Sequence, residues 1–136
     1  MTALHPATLI FATTLATAVS AASLEVTIQN VQSEQGILML AVYDSAGYRT
    51  TPVRATAQAA TASVFRFEDL AEGDYAVAVF HDKNGNGKLD VNLMGVPTEP
   101  YGFSLHAPAG MGAPVWADAM FNLPASGTRI SVPLSN

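Results

Sequence analysis

The sequence predicts an all-β protein, an antiparallel Greek-key β-sandwich with one long irregular loop. Three observations carry that expectation. Short runs in which apolar and polar residues alternate recur along the chain, clearest at 24–29 and 130–134. Gly, Asn, Asp and Pro punctuate the stretches between them. No segment shows a convincing 3.6-residue apolar period, so strands packed on strands are the remaining way to bury a core.

Taken in order, Leu24, Val26 and Ile28 alternate with Glu25, Thr27 and Gln29, which reads as a strand with one wet face. Residues 36–43 (GILMLAVY) are apolar on both faces and read as a central strand, ended by the turn residues Ser45, Ala46 and Gly47. Residues 50–62 are ambiguous. Pro52 predicts a bend, and the Ala-rich remainder suits an edge strand or a short helix. Residues 64–67 and 75–80 (YAVAVF) are strands, joined through Leu70, Gly73 and Tyr75. At that joint Gly73 supplies positive φ, Leu70 caps the core, and the Tyr75 hydroxyl folds back onto the connecting backbone as a tyrosine corner. Residues 82–112 are rich in Gly, Pro and Asn and read as irregular, which for that length suggests a functional or tied-down loop. Residues 115–123 and 128–134 supply the last strands.

Composition bounds the function. Residues 1–22 contain no acid, Lys or Arg, and their apolar Ala- and Thr-rich run ends in small residues at Val19, Ser20, Ala21 and Ala22. This reads as a cleaved export signal, leaving a single domain over 23–136 that is periplasmic or extracellular. The run is too short for a comfortable membrane span, and the mature chain contains none. All 11 acidic residues and all 6 Lys and Arg lie beyond it, so the formal charge of −5 belongs to the mature domain. An acidic, sparsely charged surface disfavours nucleic acid, which needs clustered cations. There is no cysteine, so no disulfide staples the domain.

The chemistry-bearing motif is DKNGNGKLD at 82–90. Asp82, Asn84, Asn86 and Asp90 stand at positions 1, 3, 5 and 9 of a calcium loop, and Gly87 at position 6 permits the sharp turn. Lys88 at position 7 offers its backbone carbonyl, while the ammonium groups of Lys83 and Lys88 point outward. Position 12 is Leu93, where an EF-hand has a bidentate Glu, and the flanks read as strand and irregular chain, so an EF-hand proper is not expected. Water, a carbonyl, Glu99 or Asp118 completes the sphere. With two formal charges among the ligands, Ca²⁺ binding in the range of roughly 10⁻⁵ to 10⁻³ M is expected. Zinc prefers Cys and His, of which 23–136 has only His81 and His106. Asn-Gly-Asn-Gly is also strong turn chemistry without any metal.

The run His81-Asp82-x-Asn84-Gly85-Asn86-Gly87-Lys88-Leu89-Asp90 is followed by Gly95-Val96-Pro97-x-Glu99-x-Tyr101-Gly102-Phe103-Ser104. In that order the two resemble a family of exported bacterial proteins catalogued as domain of unknown function 2141. The resemblance spans nearly all of the mature chain and implies a small exported β-sandwich without assigning an activity. The segment Phe67-x-x-Leu70-x-x-Gly73-x-Tyr75 separately resembles prealbumin-like and collagen-adhesin B-type domains, of Ig-like build.

Other constellations are thinner. Tyr101, Gly102, Phe103 and Ser104 suit either a ligand groove or a loop pinned to the core, and Trp116 suits a core or loop anchor. Ser104, His106 and Asp118 are the residue types of a hydrolytic triad, but no nucleophile elbow surrounds the serine. The expectation is a noncatalytic module with an unknown protein or glycan partner. A prealbumin-like hydrolase or small-molecule-binding protein that uses the cleft under the loop is the alternative.

Overall fold

The computed structural model of the protein describes residues 10–14, 21–109 and 112–135. Eight strands are described: β1 (Ala21–Gln29), β2 (Ile37–Tyr43), β3 (Arg54–Ala59), β4 (Val64–Ala71), β5 (Gly73–Asp82), β6 (Tyr101–Phe103), β7 (Phe121–Leu123) and β8 (Thr128–Pro133). A 3₁₀ turn, Ser104–His106, and a one-turn helix, α1 (Trp116–Ala119), lie between β6 and β7. One sheet has the order β4-β1-β8 and the other β3-β2-β5-β6, with β7 pairing the start of β5. After the β2–β3 hairpin β4 returns to lie beside β1, the return that defines a Greek key.

Period-two patterning makes the core. Leu24, Val26 and Ile28 of β1, Phe65 and Phe67 of β4, Leu38, Leu40 and Val42 of β2, and Val77 and Val79 of β5 are buried in one cluster between the sheets. Each such side chain contributes about 1.5–3 kcal/mol on leaving water. The tyrosine corner forms as expected: the Tyr75 hydroxyl donates to the Ala71 carbonyl at 2.6 Å, Leu70 is buried, and Gly73 has φ +152°. The ambiguous stretch resolves as the edge strand β3, whose Arg54 guanidinium reaches the Glu68 and Asp69 carbonyls of β4.

The fold is the all-β sandwich expected, built of two mainly antiparallel sheets, with three local departures. β8 runs parallel to β1. These two strands come from opposite ends of the domain with no hairpin to fix their sense. The stretch 115–120 is not strand: Asp118 N–H donates to Val115 O and Met120 N–H to Trp116 O, winding the turn of α1. Its alanines favour a helix more than the alternation suggested. The region 82–112 is not irregular throughout, since β6 pairs antiparallel beside β5 there.

β6 also joins the two sheets. Tyr101 and Ser135 exchange both backbone hydrogen bonds, at 3.0 and 2.9 Å. A Cβ on Gly102 would lie 2.4 Å from the Pro133 carbonyl oxygen, so only glycine permits this approach.

The segment 1–22 read as an export signal falls largely outside the described residues. Within it, 10–14 has no regular structure. Ala22, at the expected domain start, is already buried in β1 opposite Leu70.

Candidate metal centre

β5 delivers Asp82 to the top of its sheet, and the chain then turns on the Asp82 side chain. The Oδ1 atom accepts Gly85 N–H at 3.0 Å and Asn86 N–H at 3.2 Å, and Oδ2 accepts Gly87 N–H at 2.7 Å. Two further side-chain turns follow. Asn84 Oδ1 takes Asn86 N–H, and Asn86 Oδ1 takes Lys88 N–H, each at 3.1 Å. Gly87 adopts φ +80°, as the sixth position requires.

Asp90 closes the loop. Its carboxylate accepts Asn84 Nδ2–H at 2.5 Å and Asn86 Nδ2–H at 2.6 Å. These amides, Asn86 foremost, hold the Asp90 carboxyl below its ordinary pKa. Four of the predicted metal residues, Asp82, Asn84, Asn86 and Asp90, are thus drawn together by one hydrogen-bond network. Lys88 and Lys83 are exposed.

The two acids considered as a missing ligand part company. Glu99 is nearly buried, 5% exposed, and its two oxygens accept Lys83 N–H at 3.0 Å and Asp90 N–H at 3.1 Å. It therefore braces both ends of the loop through the backbone. Asp118 lies on α1, whose Ala119 packs with Ala76 near the other end of β5. From Ala76 to Asp82 is about 20 Å of strand, so Asp118 is remote from the loop. It stands near Tyr48, whose phenol pKa is raised by burial, with Arg49 opposing and Tyr43 and Asp118 adding to the rise.

The donor set fits a hard cation in kind: carboxylate, amide and carbonyl oxygens. Asp82 has one lone pair left after its three backbone partners, Asp90 has two, and each Asn oxygen has one. Among the described residues no group of three or more His, Cys, Asp or Glu is arranged to hold a metal by itself. Asp82 and Glu99 are both buried, yet the ion pairs among the described residues, Arg66–Glu25 and Arg129–Glu25, lie elsewhere.

Beyond Asp90 the chain forms a finger. Thr98 N–H and Oγ–H both reach the Asp90 carbonyl at its base, and Val91 bridges to Pro97. At its tip Asn92 Oδ1 accepts Met94 N–H and Val96 N–H, leaving Leu93 and Met94 almost wholly in solvent. Asn92 is a site residue that the motif reading passes over, although an Asn whose side chain bonds the backbone two residues on is a recognised turn former.

The triad residues do not assemble into catalytic machinery. Ser104 is fully buried; its hydroxyl donates to the Ala119 carbonyl at 2.5 Å and accepts Val77 N–H at 2.9 Å. His106 and Asp118 are exposed. Ser104 is a clamp between β5, β6 and α1. Trp116 is an anchor, packed edge-on against Tyr48 at 5.4 Å.

His81 is likewise sealed in. Its Nε2–H donates to the Gln35 carbonyl at 2.6 Å, an oxygen that only accepts, and its buried Nδ1 has no hydrogen-bond partner among the described residues.

The family model described as "Uncharacterized protein conserved in bacteria (DUF2141)" matches residues 26–131, from β1 to β8 and including the loop. No curated protein and no solved structure matches the chain.

Proposed function

We propose a noncatalytic binding role outside the cytoplasm for this protein, which belongs to the DUF2141 family of uncharacterized proteins conserved in bacteria. Its charge-free N-terminal stretch acts as an export signal, which places the sandwich in the periplasm or beyond the cell. There calcium occupies the loop 82–90, through Asp82, Asn84, Asn86, Asp90 and the Lys88 carbonyl, with water filling the remaining positions.

One observation carries this reading. Buried Asp82 and the partly exposed Asp90 belong to one short loop that a second buried carboxylate, Glu99, braces, and no Lys or Arg forms an ion pair with any of the three among the described residues. Buried charges are ordinarily paired or ligated to a metal. Most of the loop's lone pairs are already used by its own amides, which supports weak binding. The ion is structural: it stiffens 82–90 and, through Glu99, the segment that leads to β6. The exposed Leu93–Met94 tip gives a protein or glycan partner an apolar contact beside the loop.

The test is a thermal melt of the purified protein in calcium and in chelator. At calcium a hundredfold above Kd, binding to the folded state adds about 2.7 kcal/mol, a rise of several degrees in Tm. Asp82→Ala removes the rise. A Tm unchanged up to 10 mM calcium would rule the site out.

A further inference from the structure

The outer faces of the two sheets are unlike. That of β4-β1-β8 is what water demands, with Glu25 paired to Arg66 at 3.2 Å and to Arg129 at 3.9 Å across the strands. That of β3-β2-β5-β6 is apolar, although a sandwich normally turns polar residues outward there.

Strand register shows what the second face builds. Ala55, Ala41 and Ala78 stand side by side on β3, β2 and β5, and the row ends on Phe103 of β6. One row along, Met39 and Phe80 stand beside Tyr101, and on the other side of the alanines rises Tyr43. Small side chains between large ones make a trough. Across four strands it is about 14 Å long, and its walls stand about 7 Å to either side of the alanine row. The cavity measures about 420 Å³, and Leu89 of the loop folds over to line it. None of its lining residues is charged, in a chain with 17 charged side chains (6 Lys and Arg, 11 Asp and Glu).

We infer that this trough is a binding site for a single aliphatic chain, an uncharged lipid-like small molecule laid across the strands. Its volume lies in the range of small-ligand sites, about 300–1,000 Å³. A stable protein partner would need about 800 Å² of surface on each side, more than a single narrow trough supplies. The alanine floor admits a methylene chain at van der Waals distance, the aromatic walls cover its flanks, and the absence of charge excludes an ionic group from the seated part. Its floor and aromatic walls are set by sheet register, and Leu89 is the one lining residue drawn from the loop 82–90.

The test is a fluorescence titration of the full chain with N-phenyl-1-naphthylamine, an uncharged apolar probe, in chelator. The expected result is saturable one-to-one binding with Kd on the order of 10–100 µM, reversed by 1-decanol. Ala41→Phe and Ala78→Phe, which fill the trough from its solvent side, each raise Kd at least tenfold. Ser131→Phe, on the other sheet, leaves Kd unchanged. Circular dichroism and a melt check that each variant is folded. Absence of saturable binding, failure of decanol to compete, or unchanged affinity in both trough variants overturns the proposal. So does a concentration-dependent dimer abolished by the same two substitutions, which would assign the trough to a second copy. Because the titration is run without calcium, its failure leaves the calcium reading standing, and a flat calcium melt leaves the trough standing.

Discussion

Glu99 accepts one backbone amide from each end of the loop, which gives it a bracing role. Glu99→Gln presents an NH₂ group to one of those two donors, at a cost of about 1–3 kcal/mol. The loss should be the same in calcium and in chelator, read as the urea midpoint, so that the calcium response survives intact. Disappearance of that response would instead make Glu99 a metal ligand. Tyr75 makes a second residue-scale case. Loss of its hydroxyl in Tyr75→Phe should cost about 1 kcal/mol at pH 8. Burial raises the phenol's pKa, with Asp44 adding to the shift and Arg54 opposing it. A raised folded pKa gives stability that is complete below about pH 10 and is lost as pH climbs through the folded value. The gap between protein and variant should therefore shrink as pH climbs above about 10 through the folded value. A gap that stays constant across that rise would contradict this.

Among the elements, β6 and α1 hang on one serine. Ser104→Ala leaves the Val77 N–H and the Ala119 carbonyl without their buried partner, which should cost about 2–4 kcal/mol. It should also speed hydrogen exchange at the Val77 amide, and unchanged exchange would show that the clamp is dispensable. The sequence made most strands legible because period two is a local signal: β1, β2, β5 and β8 fall close to where alternation or β-rich composition placed them. The tyrosine corner was legible for the same reason, being contained within residues 70–75. What escaped is non-local. The parallel sense of β8 depends on pairing between chain ends. The Ser104 clamp joins segments that no spacing rule connects. The alanine trough exists only once three strands are placed in register, so Ala41, Ala55 and Ala78 look unremarkable in a row of letters. In the loop 82–90 the turn residues and Asp90 were legible, whereas the bracing role of Glu99 required the fold.

On the scale of the whole molecule, the two sheets share one core, and the chain enters it at Ala21. A chain that starts at Ala21 keeps the buried Ala22 methyl and its place beside Leu70; one that starts at Ser23 loses both. The shorter form should be less stable by about 1 kcal/mol, measured by urea denaturation of the two truncations. Equal stability would mean that β1 gains nothing from its first two residues.

The finger beyond Asp90 is fastened only at its base, where the Asp90 carbonyl receives both the amide and the hydroxyl of Thr98. Residues 91–96, all exposed, therefore form a closed ring that stands in solvent. Since the cost of closing a longer ring grows only with the logarithm of its length, this is where insertions and foreign sequences can be accommodated. A foreign sequence grafted between Asn92 and Gly95 would be displayed at this point without disturbing the sandwich.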